Sequence, residues 1–138
     1  MTVRTPGFNG RHIVVADEDK AVVSFVIDTL RGDGHAVFHA YDGLSATELA
    51  QALKVCDLVI SNTRFEGEHG IDLIHQLRKR MPALPILYLA NTGRSTPELE
   101  RDLPSNVPIL REPFTAEGLR AEVKALLDGN GDGKRQAQ

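Results

Sequence analysis

Five short apolar runs, at residues 12–16, 36–39, 57–61, 85–90 and 107–110, constrain this chain more than any other feature. Each is too short for a stable helix, and most are rich in Val, Ile and Leu. They fit strands buried inside a sheet. The stretches between them carry helix signals instead. Asp19 can cap a helix whose apolar positions Val22, Phe25, Val26 and Leu30 share one face, and Gly32-Asp33-Gly34 stops it. A second helix follows Asp42-Gly43, with Leu44, Leu49, Ala50 and Leu53 apolar. A loop containing Gly67 and Gly70 leads to a third, with Ile71, Ile74 and Leu77, which Met81-Pro82 ends. Thr96-Pro97-Glu98 starts a fourth, kept short by Pro104, and Thr115 caps a fifth carrying Leu119, Val123, Leu126 and Leu127. Pro108 lacks a backbone donor, which suits an edge strand.

Short apolar strands alternating with helices predict an α/β fold: a five-stranded parallel sheet, doubly wound, with helices on both faces. Ligand chemistry in such sheets gathers at the carboxyl ends of the strands. The residues there are Asp17 and Glu18, Asn62, Ala90 and Asn91, and Arg111 and Glu112. A length of 138 residues suits one domain. We expect an extension over 1–10, the domain over 11–128 and a flexible polar tail over 129–138.

Composition narrows the partners. Sixteen Lys and Arg against 19 Asp and Glu leave a net charge of -3, without the basic clustering that nucleic acid requires. Cys56 is the single cysteine, which excludes an internal disulfide and a cysteine-based zinc site. No apolar run approaches the ~18 residues of a membrane helix, and the first twelve residues contain no apolar signal core. The expected compartment is the cytoplasm, with no membrane partner.

Several pieces, in order, resemble a known family. Ile13-Val14-Val15-Ala16-Asp17-Glu18-Asp19, the strand 57–61 running into Asn62, the Gly-containing loop 66–70 before Ile71, the strand 85–90, and Glu112-Pro113-Phe114 together resemble the response-regulator receiver domain of two-component signalling. The resemblance spans roughly residues 10–128 and implies the (βα)5 flavodoxin-like receiver fold, similar to single-domain chemotaxis regulators. It also implies a phospho-acceptor pocket. In the family, an acid pair holds magnesium, an aspartate attacks phosphorus, and a hydroxyl residue and a lysine grip the phosphoryl oxygens. Here Asp17 and Glu18 occupy the acid pair. Asn62 stands at the acceptor, Ala90 at the hydroxyl position and Glu112 at the lysine. Ile109 takes the place of the family's switch aromatic. An amide is a far poorer nucleophile than a carboxylate, Ala90 cannot follow a phosphoryl group, and Glu112 repels one. The expectation is a degenerate, phosphorylation-independent pseudo-receiver with no catalytic residue and no enzymatic activity. The resemblance also implies a cis peptide at Glu112-Pro113.

Asp17, Glu18 and Glu112 are expected to converge. A divalent cation held by Asp17 and Glu18, with Asn62 as a neutral ligand, is one way to balance them. The simpler expectation is no cofactor, with a salt bridge from Arg64 or Arg111, or a shared proton. Val23 and Ile27 lie four apart beside the core stripe of the first helix and suggest a partner contact, unless the N-terminal extension or the last helix covers them. Residues 128–133 copy the first half of a calcium loop, but its twelfth position would be 139, beyond Gln138, so a helix stop and tail is the better reading. The five histidines show no ligand spacing that this architecture supports. Cys56 reads as packed.

The leading function is therefore a signalling module acting by protein–protein contact. Its partner would be a histidine kinase, a downstream effector or a second copy of the chain. The expected surfaces are the first helix and the face of the fourth helix, fifth strand and fifth helix. The alternatives are an atypical phospho-acceptor and a small-ligand or metal-binding protein on the same fold.

Overall fold

The computed structural model describes residues 10–52, 56–62 and 70–128, and the backbone of 64–65 and 68–69. The elements are β1 (His12–Ala16), α1 (Lys20–Gly32), β2 (Ala36–Ala40), α2 (Gly43–Ala52), β3 (Cys56–Asn62), β4 (Arg64–Phe65), β5 (Glu68–His69), α3 (Gly70–Arg80), β6 (Ile86–Ala90), α4 (Pro97–Arg101), β7 (Ile109–Arg111) and α5 (Ala116–Leu127). Five strands form one parallel sheet in the order β2-β1-β3-β6-β7. The order reverses direction between β1 and β3, so a crevice opens at their carboxyl ends.

Alternation along the strands builds two cores. Val14, Val59, Ile86 and Tyr88 face one way, against Ala46, Ile71, Ile74 and Leu77. Ile13, Val15, Ile60 and Leu87 face the other, against Val26, Leu30, Leu119 and Val123. The central strands are buried throughout their apolar length, while β2 and β7 at the edges are half-buried. The caps form as their residue types require: Asp19 accepts from the N–H groups of Ala21 (3.0 Å) and Val22 (3.3 Å), Thr96 from Leu99, and Thr115 from Gly118. Glu112-Pro113 is cis, as expected.

Several expectations need correction. Val23 is 6 % exposed and Ile27 packs half-buried against the second core, so they offer no apolar pair to a partner. Phe25, expected inside, is 40 % exposed and its ring leans on Phe114 at 5.8 Å. The buried arc of α1 is Val23, Val26 and Leu30, and α5 packs over this helix. Leu44 is exposed as well, because α2 meets the sheet through Gly43, Ala46, Thr47 and Ala50, whose small side chains allow close approach. Pro108 lies just outside β7, although its carbonyl accepts from the Tyr88 N–H at 3.1 Å. The expected loop before α3 contains a two-stranded antiparallel ribbon, β4 with β5. Gly70 after it is required by space: a Cβ there would lie 1.7 Å from the Asn62 carbonyl oxygen.

Leu53, the tail 129–138 with most of its calcium-loop pattern, and all of the N-terminal extension but Gly10 lie outside the described residues. No helix among the described residues is long and apolar enough to cross a membrane.

Candidate functional site

The ends of β1, β3 and β6 and the residue after β7 bring Asp17, Asn62, Ala90 and Glu112 to one end of the sheet. Ala16 pairs in register with Ser61, Asn62 with Leu89, and Ala90 with Arg111. The parallel registers therefore stack the four positions across neighbouring strands. Asp17 is fully buried, and Asn62 and Ala90 are each 3 % exposed.

Asp17 is held from several sides. Its Oδ1 accepts from the Asp19 N–H at 2.8 Å, the Asn62 side chain hydrogen-bonds its carboxyl, and its backbone carbonyl accepts from His39 Nε2 at 2.7 Å. Its Oδ2 is buried with no hydrogen-bond partner among the described residues. Burial pushes its pKa above the usual carboxylate range, against the opposing effect of the hydrogen bonds from Asn62 and Asp19.

Glu112 is tethered by its backbone. Its N–H donates to the Ala90 carbonyl at 3.0 Å and its carbonyl accepts from Thr92 Oγ1 at 2.8 Å. Its side chain is held less firmly: Oε1 accepts from Asn91 Nδ2 at 3.4 Å, and Oε2 is buried without a partner among the described residues. Burial raises its pKa first, and the charges of Asp17 and Asp19 raise it further.

This differs from the expected convergence. Glu18 is exposed, and the third carboxylate that bears on Glu112 is Asp19, the cap of α1. Among the described residues, no three His, Cys, Asp or Glu side chains are grouped to hold a metal ion. Arg111 does not balance the pocket either. Its guanidinium grips Glu100 with two hydrogen bonds, through Nη1 at 2.8 Å and through Nη2. The Arg64 side chain lies outside the described residues.

A network unnoticed in the sequence begins beside Ile109. Tyr88 on β6 pairs in register with Ile109 on β7, so an aromatic hydroxyl lies one strand away from the family's switch position. Ile109 itself is half-buried against the first core. The Tyr88 hydroxyl meets Ser95 Oγ at 2.8 Å, Ser95 Oγ donates to Glu100 Oε2 at 2.7 Å, and Glu100 binds Arg111. These hydrogen bonds from Arg111 and Ser95 hold the Glu100 carboxyl below its ordinary range. The chain of contacts ties β6, the loop before α4, α4 and β7 together. The only sequence signal was a lone tyrosine in a buried strand.

The remaining described candidates are held by local contacts, and the His69 side chain lies outside the described residues. His12 stacks on Phe38 and lies 3.9 Å from Asp57, His35 accepts from the Arg11 N–H, and His75 bonds the Asp102 carbonyl. Burial pushes the Cys56 thiol up to about 11, far from the thiolate.

Known proteins place this geometry. The receiver domain of NtrX from Brucella abortus is similar at TM-score 0.75 and 22% identity, covering 85% of this chain and 98% of that one. The Vibrio cholerae chemotaxis protein CheY4 is similar at TM-score 0.77 and 24% identity, covering 86% and 99%. A response regulator receiver protein from Sinorhizobium medicae is similar at TM-score 0.77 and 24% identity, covering 88% and 97%. Against a longer NtrX chain from Brucella abortus, crystallised with ADP, this chain spans 29% of the length. These likenesses establish the flavodoxin-like receiver fold. The family model described as the response regulator receiver domain matches residues 13–123, from the first residues of β1 into α5, and so includes all four strand-end positions. The chain therefore belongs to the response-regulator receiver family.

Proposed function

We propose that this receiver is phosphorylation-independent and works in the cytoplasm by protein–protein contact, as a module of a two-component pathway. The observation that carries this reading is the chemistry at the strand ends. Asn62 has no carboxylate to form an acyl phosphate, Ala90 has no hydroxyl, and Glu112 presents a negative charge where a phosphoryl group would need a positive one. All three losses point the same way. The proposed partner is a histidine kinase, a downstream effector or a second copy of the chain. The proposed contact face is α4, β7 and α5, where the Tyr88–Ser95–Glu100–Arg111 network braces the loop and helix from beneath. The buried Val23 removes the α1 pair from this proposal.

Incubation with acetyl phosphate and magnesium, followed by intact-mass measurement, tests the reading. The expected result is an unchanged mass, with a phospho-accepting receiver gaining one phosphoryl group in parallel. A phosphoryl adduct on this chain would establish the atypical phospho-acceptor reading in its place.

A further inference from the structure

The acidic pocket has an unusual balance. Among the described residues, Asp17 is fully buried with Oδ2 unpartnered, and Glu112 adds a second buried, unpartnered oxygen at Oε2. A buried carboxylate without a cation or donors is costly. Among the described residues, no Lys or Arg bonds either carboxyl: Arg111 is committed to Glu100, Arg31 to the Val37 carbonyl, Arg120 to Asp33 and Lys124 to Asp128. The other groups facing the two carboxyls are Asp19 from the start of α1, His39 from β2, and Asn62 and Asn91 from the ends of β3 and β6. His39 is the one potential cation of that set, and its Nε2 is engaged by the Asp17 backbone carbonyl.

We infer that this pocket is a receptor for a hydrogen-bonding monocation, the ammonium or guanidinium group of a partner's basic side chain or of a free amine. Two orphaned oxygens on two carboxyls match the several N–H donors of such a group. They match a hard divalent ion poorly, since that asks for about six oxygens in a close shell. The route in is through Glu112. Its backbone is fixed, but its side chain rests on one long contact from Asn91, so it can swing out, meet the incoming cation and uncover Asp17 Oδ2. Ala90 keeps the neighbouring wall small and free of donors. The inference rests on the proposed function in one respect, that no phosphoryl group fills the pocket.

The test is a titration of the 15N-labelled full chain, read by amide chemical shifts. The probes are n-butylammonium chloride, N-methylguanidinium chloride and a capped Gly-Lys-Gly peptide. Tetramethylammonium chloride, which has the charge but no N–H, and magnesium chloride are the comparators. The expected result is saturable shifts at the Asn62, Ala90 and Glu112 amides with the N–H cations, and none with tetramethylammonium. Glu112→Gln, which keeps the shape, should weaken binding by about tenfold or more. A tighter peptide than butylammonium would identify a partner side chain as the source, and the reverse a free amine. Shifts that grow linearly with any salt, that are unchanged in Glu112→Gln, or that saturate first with magnesium would overturn the inference. Acyl-phosphate formation is read separately by mass, so failure of the amine titration and failure of the phosphorylation-independent reading are told apart.

Discussion

Glu112→Gln is expected to stabilise the protein at neutral pH, and the reason is electrostatic. The wild-type carboxyl is half-buried beside Asp17 and Asp19, with Oε2 buried and unpartnered. Burial and then those two charges raise its folded pKa above the unfolded value. Between those two values the folded state binds more protons than the unfolded state, so stability falls as pH rises through that window. Above the window the whole penalty is present, and below the unfolded value it is absent. An orphaned buried acceptor costs about 1–3 kcal/mol. Part of this side chain touches water, and solvent screening places the cost near the lower end, about 1 kcal/mol. Gln keeps the volume, drops the charge and supplies N–H donors. The variant should therefore gain about 1 kcal/mol near pH 7.5, which corresponds to a Tm rise of roughly 3–6 °C. The gain should shrink toward zero near about pH 4, where the unfolded carboxyl protonates. Urea unfolding of both proteins across that range, in amine-free and metal-free buffer, measures it. A loss of stability at neutral pH, or a gain that ignores pH, would refute the reasoning, because either would mean that the carboxylate already has its counter-charge.

The other expectations are checked by similar means. Asn62→Asp adds a further carboxylate beside Asp17, at a position 3 % exposed; it should cost about 2–4 kcal/mol near neutral pH in urea unfolding, and acetyl phosphate should still add no mass, since Ala90 and Glu112 remain. Tyr88→Phe removes the hydroxyl from Ser95 while leaving Ser95 on Glu100; the loss should be about 1 kcal/mol, with faster hydrogen exchange confined to the loop 91–96 and α4. Gly70→Ala drives a Cβ to 1.7 Å from the Asn62 carbonyl oxygen and should cost about 3 kcal/mol or more in thermal unfolding. Gly32→Ala, at the end of α1 with open space around it, should stabilise by up to about 1 kcal/mol.

The parts of the fold legible in the sequence were those governed by short-range patterns. Five apolar runs, capping residues at Asp19, Thr96 and Thr115, and stops at Gly34 and Pro82 place the sheet and its helices without reference to distant contacts. The errors arose where a segment is apolar on more than one side. In α1, Val22, Val23, Phe25, Val26 and Ile27 leave only Ser24 polar across six positions. Periodicity then fits two stripes about 100° apart, and it is the packed structure that buries Val23 and leaves Phe25 40 % exposed. In α2 the reverse holds: the residues that face the sheet are small or hydroxylated, so the hydrophobic signal from Leu44 points away from the contact.

The site divides along a similar line. The strand ends follow from the apolar runs, so Asp17, Glu18, Asn62, Ala90, Asn91, Arg111 and Glu112 could be named from the sequence, and the family resemblance singles out the pocket positions among them. How their charges are balanced depends on where neighbouring side chains commit themselves. Arg111 adjoins Glu112 in sequence and looked available to the pocket. Successive residues of an extended chain point to opposite sides, and Arg111 leaves to join Glu100 on α4. Glu18 and Asp19 are likewise adjacent and both exposed, yet it is Asp19, held as the cap of α1, whose charge bears on Glu112. One physical consequence links these two facts. The Arg111–Glu100 pair that braces α4 also withholds from the pocket the cation nearest to it in sequence, so bracing that face and leaving the carboxyls uncompensated are two results of a single ion pair. Freeing Arg111 by Glu100→Gln would loosen the first and offer a cation to the second, which makes the stability of that variant at neutral pH a direct comparison of the two.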